Sequence, residues 1–451
     1  MKPIHFQEHD QLPNEIVFKD PVHDHIHVRH QIILDLIDTK EFQRLRRIKQ
    51  LGTSHYTFHG AEHSRFSHSL GVYELARKIC DRFLRNYPEE WDDSERLVTL
   101  CAALLHDIGH GPFSHTFEKI FETDHEKFTV NIILDETTEV NEILRRVSPD
   151  FPNKVASVIT KKYPNPQVVQ LISSQIDADR MDYLQRDAYY TGVTYGKFDM
   201  SRILRVIRPH KNGIAFQSQG MHAVEDYIVR RYQMYMQVYF HPVSRGMEVT
   251  LDRMLTRAND LYKDGDLNLR IPQLEPFFDQ DYTTQDYLNL DDQVISYGVL
   301  TWTKSADEYL KELATMFLHR RPLKSIGFNR ETDKETVGHL RNLVDKVFYD
   351  QKYFTMTNRS SDISYDYSIK KNTPILLMHP DGELVDISEV SPIVNVLSDH
   401  LHGNDRLYVP REFLRSTPAV QQNLDIFEDV YKNFRKYIKN GSIIEEENKE
   451  M

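Results

Sequence analysis

An adjacent histidine and aspartate close the apolar run LCAALLHDIGHGPFSH at residues 100–115, and this stretch limits what the chain can be more than any other. Leu97, Leu100, Cys101, Leu104 and Leu105 recur at i, i+3, i+4, i+7 and i+8. That is the spacing of a helix with one buried face, and Ser94 is available as its N-cap. Gly109, Gly111 and Pro112 then break the helix. His106 and Asp107 therefore leave a buried helix together at a turn, one offering nitrogen and the other hard oxygen, a combination suited to a divalent metal. A satisfied polar pair at a helix end fits the same residues, so the run alone leaves both readings open.

Composition narrows the setting. The chain has 451 residues, 40% of them hydrophobic, and a formal net charge of -12, enough for a large core or two to three domains. Its first residues lack a basic-then-apolar leader, and no run approaches the roughly 18 apolar residues needed to span a bilayer, so a cytoplasmic protein is expected. Cys80 and Cys101 lie on apolar helical faces and read as core rather than as a disulfide or zinc framework. The acidic balance argues against strong nucleic-acid binding, although Arg44, Arg46, Arg47 and Lys49 form a local basic cluster able to hold phosphates. Fourteen of the 22 histidines fall within residues 5–125, which places the chemistry in the N-terminal third.

In chain order, residues 15–28 alternate around an Asp-Pro turn and predict a hairpin, with His23, His25 and His27 on one exposed strand face. Residues 36–51 predict one helix, with Asp38 and Glu41 as a capping box, Phe42, Leu45 and Ile48 buried, and a basic side facing solvent. After a loop, Val72, Leu75, Ala76, Ile79 and Phe83 mark a long helix with His68 in its first turn. Residues 175–187 carry four acids, Asp177, Asp179, Asp182 and Asp187; such runs are usually solvated faces, and Asp179 is the natural one to point inward. Residues 224–249 predict a Tyr- and Met-rich amphipathic helix, and residues 267–292, with two prolines, the best domain boundary. Alternating segments at 374–378, 382–387 and 405–409 predict strands. The fold class expected is mainly α, a helical core with a smaller C-terminal α+β lobe, divided as residues 1–50, 51–270 and 271–451.

Taken together, RFSHSLGV at 65–72, HDIGHGPFSH at 106–115, DHE at 124–126 and DADRMDY at 177–183 resemble the HD superfamily. DPVH at 20–23 and IDTKEFQRLRRIKQL at 37–51 sharpen the resemblance to the HD-domain deoxynucleoside triphosphate triphosphohydrolases, the group of the human sterile-alpha-motif and HD-domain enzyme and its bacterial relatives. The similarity runs over about residues 17–241 and fades beyond. It implies an HD-domain catalytic core at 51–270 and His68, His106, Asp107 and Asp179 as ligands of a divalent metal such as Mg, Mn, Fe or Ni. It implies His115 and His125 as catalytic histidines, with Glu118 where relatives have Asp. His110 would contact phosphate, and Gln50, Leu51, Arg65, Arg180, Tyr183, Asp187, Arg231 and Tyr239 would line the substrate pocket. Ile16, Val17, Asp38, Gln43 and Arg46 would bind an activating GTP or dGTP, in a site lying between subunits of a homotetramer. Around Phe216, Gln217, Gln219 and Ala223 the basic and Asn residues for a second activating nucleotide are missing, and Arg202 alone does not replace them.

The expected reaction is hydrolysis of a deoxynucleoside triphosphate to deoxynucleoside and triphosphate. Arg65, Arg180 and Arg231 suit three phosphates better than one, which favours this over an HD phosphodiesterase or nucleotidase. A nucleotide sensor or single-strand nucleic-acid binder is a third reading, disfavoured by the acidic charge.

Overall fold

The computed structural model describes residues 11–348, 350–359, 374–399, 405–414 and 424–444. The architecture is mainly α, as its helical periodicities require. It opens with the antiparallel hairpin β1 (Gln11–Asp20) and β2 (Asp24–His30), whose Ile26 and Val28 are buried on one side. The chain then passes directly into α1 (Gln31–Asp38) and α2 (Lys40–Arg44), followed by a 3-10 turn at Leu45–Arg47.

The single helix predicted over 36–51 is therefore broken, and Thr39 is the reason. Its hydroxyl donates to the Leu36 carbonyl at 2.7 Å, closing α1, and accepts from the Phe42 N–H at 3.2 Å, opening α2. Thr39, not Asp38, is the cap of α2, and Asp38 is the exposed last residue of α1. The expected solvent-facing basic side is also wrong for Arg44, which is fully buried.

Two long helices then carry the centre: α3 (Arg65–Asn86) and α4 (Arg96–Leu105). The apolar stripe predicted for α4 is buried throughout, and each fully buried leucine contributes about 2 kcal/mol. Ser94 does not cap α4, because residues Asp93–Glu95 form a 3-10 turn capped by Asp92, whose carboxylate accepts from Ser94 N–H. After the His-Asp turn come α5 (His115–Phe121), α6 (His125–Leu134), α7 (Glu139–Arg145), α8 (Phe151–Ile159), α9 (Pro166–Ile172) and α10 (Ala178–Thr191). The stretch expected as one helix at 224–249 is α11 (Met221–Met234), a π turn at Tyr235–Tyr239, and α12 (Pro242–Asp264), since Pro242 can only start a helix.

The buried side chains fall into two cores. The first joins the hairpin and α1 to α4 with α6 to α11 and extends to Ile375, Leu377, Ile387 and Val394. The second joins Phe113, Phe117, Phe121 and Phe128 to α12, to buried residues between Leu267 and Met356, and to Leu407, Val409, Phe413, Phe434 and Ile443. The turn between α4 and α5 lies where the two meet. Residues 267–292 fold into short helices and turns whose Leu274, Phe277, Phe278 and Tyr287 belong to the second core. Leu376–Met378 and Leu384–Asp386 extend the sheet begun by Ile207–His210 and Gly213–Gln217, while Asp405–Val409 lies in a separate five-stranded sheet.

Candidate active site

Three helix ends converge on one point. His68 comes from the first turn of α3, His106 from the end of α4 and Asp179 from the first turn of α10; their ligand atoms all lie within 4.8 Å of one another. His68 Nε2 is 3.1 Å from Asp179 Oδ1 and 3.7 Å from Asp107 Oδ2, and His106 Nε2 is 3.4 Å from Asp107 Oδ1 and 3.5 Å from Asp179 Oδ1. His106 Nε2 is buried and, among the described residues, has no hydrogen-bond partner, while its Nδ1 is fixed by the Ala103 carbonyl at 2.9 Å. A buried lone pair aimed between two carboxylates is what a divalent cation requires, so the four residues fit such an ion. Burial lowers the pKa of His68, but its bonds to Asp179 and Asp182 outweigh this and push it up to about 10. A cation at Nε2 would take the place of that proton. Burial likewise raises Asp107, and His106, His110 and Arg65 overcome it, holding Asp107 well below the usual carboxylate range.

Behind His68 stands a buried relay. Asp182 follows Asp179 by three residues and so shares its helix face. Its Oδ2 meets His68 Nδ1 at 2.8 Å, its Oδ1 meets His23 Nε2 at 2.6 Å, and Arg186 holds both oxygens at 2.8 and 2.9 Å. Arg186 in turn donates to Asp20 at 2.8 Å, whose Oδ1 accepts the N–H groups of Val22 and His23. A Cβ at position 71 would lie 1.9 Å from Asp182 Oδ1, so only glycine admits this approach. His23, expected on an exposed face, is thus buried against the site. The acid run is no solvated face: Asp177, Asp182 and Asp187 are all buried. Asp20, His23, Asp182 and Arg186 went unassigned in the sequence, where only the three-residue spacing from Asp179 to Asp182 signalled them.

Beside the metal cluster, Arg65 donates to Asp107 at 2.5 Å and to Ser114 Oγ at 3.0 Å. His110 Nε2 is 3.3 Å from Asp107 Oδ1, and its ring stacks on His125 at 3.9 Å with 13° between planes. His125 Nδ1 meets Glu118 Oε1 at 2.8 Å. Burial lowers His125, and the Glu118 bond raises it past its ordinary value; burial, Arg65 and His125 together push His110 well down. Of the two stacked rings, His125 is thus the more basic. His115 opens α5, and its side chain lies outside the described residues.

A third group surrounds Asp187. Its Oδ2 accepts from Tyr239 Oη at 2.8 Å and its Oδ1 meets His63 Nε2 at 2.7 Å, with His63 stacked on Tyr190 at 4.5 Å. Tyr183 Oη is 3.1 Å from Tyr235 Oη, and the rings of Tyr235 and Tyr239, at the two ends of the π turn, lie 4.8 Å apart; π turns recur at functional sites. Gln50, just before the half-buried Leu51, donates its N–H to the His63 carbonyl at 3.0 Å, and its buried Oε1 has no hydrogen-bond partner among the described residues. Arg180 donates to Asp177 at 2.5 Å, and Arg231 donates to Gln175 Oε1 at 2.9 Å. His63, Gln175 and Tyr235 carried no motif that sequence reasoning could use.

The candidate activator residues stand elsewhere. Asp38 and Arg46 are exposed; Gln43 Nε2 donates to the Ile37 carbonyl and Arg46 Nε to Gln43 Oε1, both at 2.8 Å, with the Arg46 guanidinium 3.5 Å above the Phe66 ring. Ile16 is half-buried in β1 opposite Val28, and Val17 is exposed. Among the described residues no hydrogen bond or ion pair joins these two to Asp38, Gln43 or Arg46.

The geometry has counterparts in known proteins. Residues 65–187 match the HD domain and residues 198–285 the HD associated region. The uncharacterized protein YwfO of Bacillus subtilis is 51% identical over 409 residues, 90% of this chain and 94% of that protein. Human deoxynucleoside triphosphate triphosphohydrolase SAMHD1 is 25% identical over 405 residues, 80% of this chain and 64% of that one. The crystal structure of a phosphohydrolase from Bacteroides thetaiotaomicron superimposes with a TM-score of 0.78 at 28% identity, covering 88% of this chain and all of the other. Among the described residues, no helix is long and apolar enough to cross a membrane.

Proposed function

Because the chain belongs to the HD-domain family of metal-dependent phosphohydrolases, we propose that it hydrolyses deoxynucleoside triphosphates to deoxynucleoside and triphosphate, under activation by GTP or dGTP. The observation that carries this reading is the setting of the His68, His106, Asp107 and Asp179 cluster, with Arg65 bonded to Asp107 and, next to His68 at 6.4 Å between rings, Tyr183 leading to Tyr239 and Asp187. A phosphate ester alone needs the first; a sugar and base need the second.

His68, His106, Asp107 and Asp179 would hold a divalent cation, which when bound would polarise a phosphoryl oxygen and lower the pKa of water. Arg65, Arg180 and Arg231 balance the triphosphate charge. Water attacks the α-phosphorus, the bond from phosphorus to the sugar 5′ oxygen breaks, and that oxygen takes a proton. His125, whose basicity the Glu118 carboxylate raises, gives it, with His115 as its partner. Gln50, Leu51, Tyr183, Asp187 and Tyr239 hold the nucleoside, and His110 faces the phosphate. Ile16, Val17, Asp38, Gln43 and Arg46 form the activator surface, completed in a homotetramer. Asp38 has a carboxylate that accepts both N–H donors of a guanine edge, which adenine does not present.

Each deoxynucleotide is incubated with and without GTP, and the products are separated by chromatography. Free triphosphate with deoxynucleoside is the expected outcome. Inorganic phosphate or a nucleoside monophosphate as first product would replace this reading with a nucleotidase or phosphodiesterase.

A further inference from the structure

Arg44 is a buried cation with an unusual set of partners. It is 1% exposed, and among the described residues no carboxylate lies within ion-pair distance of it. Instead its Nε donates to the Leu290 carbonyl at 2.8 Å and its Nη1 to the His110 carbonyl at 2.9 Å, with Nη2 3.5 Å from the Tyr287 carbonyl. A planar fork reaches several backbone oxygens at once, and burying it is costly unless its donors are satisfied, as they are here by carbonyls, with the charges of Asp291 and Asp292 at longer range.

The carbonyl it holds belongs to the residue whose ring touches Asp107 and stacks on His125. The preceding carbonyl is held too: Tyr287 Oη donates to Gly109 O at 2.8 Å, and the Arg44 guanidinium lies 5.3 Å from the Tyr287 ring. The loop is pressed against this clamp. A Cβ at Gly111 would meet Tyr287 Oη at 2.7 Å, and one at Gly109 would meet the Thr129 backbone nitrogen at 2.1 Å on the other side. A third tie, from Phe113 N–H to Asp292 Oδ1 at 3.0 Å, comes from the same 287–292 segment.

We propose that Arg44 is a positioning residue for the catalytic loop: by fixing the peptide oxygen of His110 it sets where that imidazole stands between Asp107 and His125, and it makes α2 a rigid attachment of the loop. Its neighbours Gln43 and Arg46 sit toward the surface while Arg44 points inward, so a shift of α2 moves His110. The coupling holds whether or not a nucleotide binds at that surface.

The test uses the full chain with Arg44→Lys, which keeps the charge and loses the fork, and Tyr287→Phe, which removes one hydroxyl at constant shape. Hydrogen exchange is followed at the amides of residues 108–114 and of α3, metal content by elemental analysis, and kcat and KM with a deoxynucleotide. Arg44→Lys is expected to keep its metal, to exchange tenfold or more faster at 108–114 with α3 unchanged, and to lose at least tenfold in kcat with KM within threefold. Tyr287→Phe should do the same on a smaller scale. Unchanged loop exchange, or faster exchange spread evenly over α3 and the loop, overturns the proposal, as does full kcat in folded Arg44→Lys. Should Arg44→Lys fail to fold, Tyr287→Phe decides alone by the same criteria. A parent chain that hydrolyses no nucleotide would sink the hydrolase reading, and the exchange measurement would still decide this one.

Discussion

Between the cluster around His68 and the outward face of residues 38–46, the difference is how many elements each side chain answers to. His68 is held by Asp179 and Asp182 from α10 and lies 3.7 Å from Asp107 after α4, and Asp182 is itself tied to β1, the turn that follows it and the rest of α10 through Asp20, His23 and Arg186. Gln43 and Arg46, by contrast, bond to each other and to one local carbonyl. Burial turns the first set of charges into fixed geometry, because removing one partner strands another without water. Exposure leaves the second set free to be replaced, or to rearrange around a ligand, at little cost.

Removal of a cluster ligand should give the largest effect. Asp107→Ala or His106→Ala is expected to lose both bound metal and turnover, measured by elemental analysis and product release; a metal-loaded, fully active Asp107→Ala protein would erase the contrast. One step outward, Asp182→Asn leaves His23 and His68 Nδ1 without their carboxylate and Arg186 with Asp20 alone. It should destabilise the fold by about 3 kcal/mol in urea and weaken metal binding roughly 10- to 100-fold. A loss of stability with unaltered metal affinity would mean that the relay only supports the fold.

A smaller effect is expected from Glu118→Gln, read as a pH profile. Glu118 raises His125 above its ordinary value of 6.5, so protonated His125 stabilises the fold fully below 6.5 and loses that contribution as pH rises through the folded-state value. Activity that needs the protonated ring falls over the same upper range. Glu118→Gln should move this alkaline limb to lower pH and cut kcat by about 10²-fold, with metal retained. An alkaline limb that stays where it was would assign it to another group.

The smallest change belongs to the exposed face. Because Thr39 does the capping, Asp38→Asn at the exposed end of α1 removes no cap hydrogen bond and should alter stability by less than about 0.5 kcal/mol. Under the guanine reading, the same variant needs far more GTP for half-maximal activation. An unaltered activation curve would leave the face without a nucleotide and widen its distance from the cluster to one of function as well as of burial.

The same contrast explains what the sequence disclosed. The apolar stripe of α4, the first turn of α3 and the inward Asp179 were legible because a buried helix must repeat every three to four residues, and a polar group inside that repeat stands out. Asp182 and His23 did not stand out, since their partners lie 114 and 159 residues away in sequence. The acid run at 177–187 read as solvated because nothing local announces Arg186 paired to Asp20. Arg44 was misjudged for a different reason. Periodicity assumed one continuous helix, and the double use of the Thr39 hydroxyl restarts the phase, turning a side chain expected in water toward His110.

The turn joining α4 to α5 lies at the seam of the two cores, with Ile108 counted in the first and Phe113 in the second. Heating that merely parts the cores, leaving every helix intact, already pulls His106 and His110 from opposite sides. Inactivation should thus run ahead of the loss of far-ultraviolet ellipticity, and the enzyme's working temperature is set by the adhesion of its two halves rather than by the melting of either.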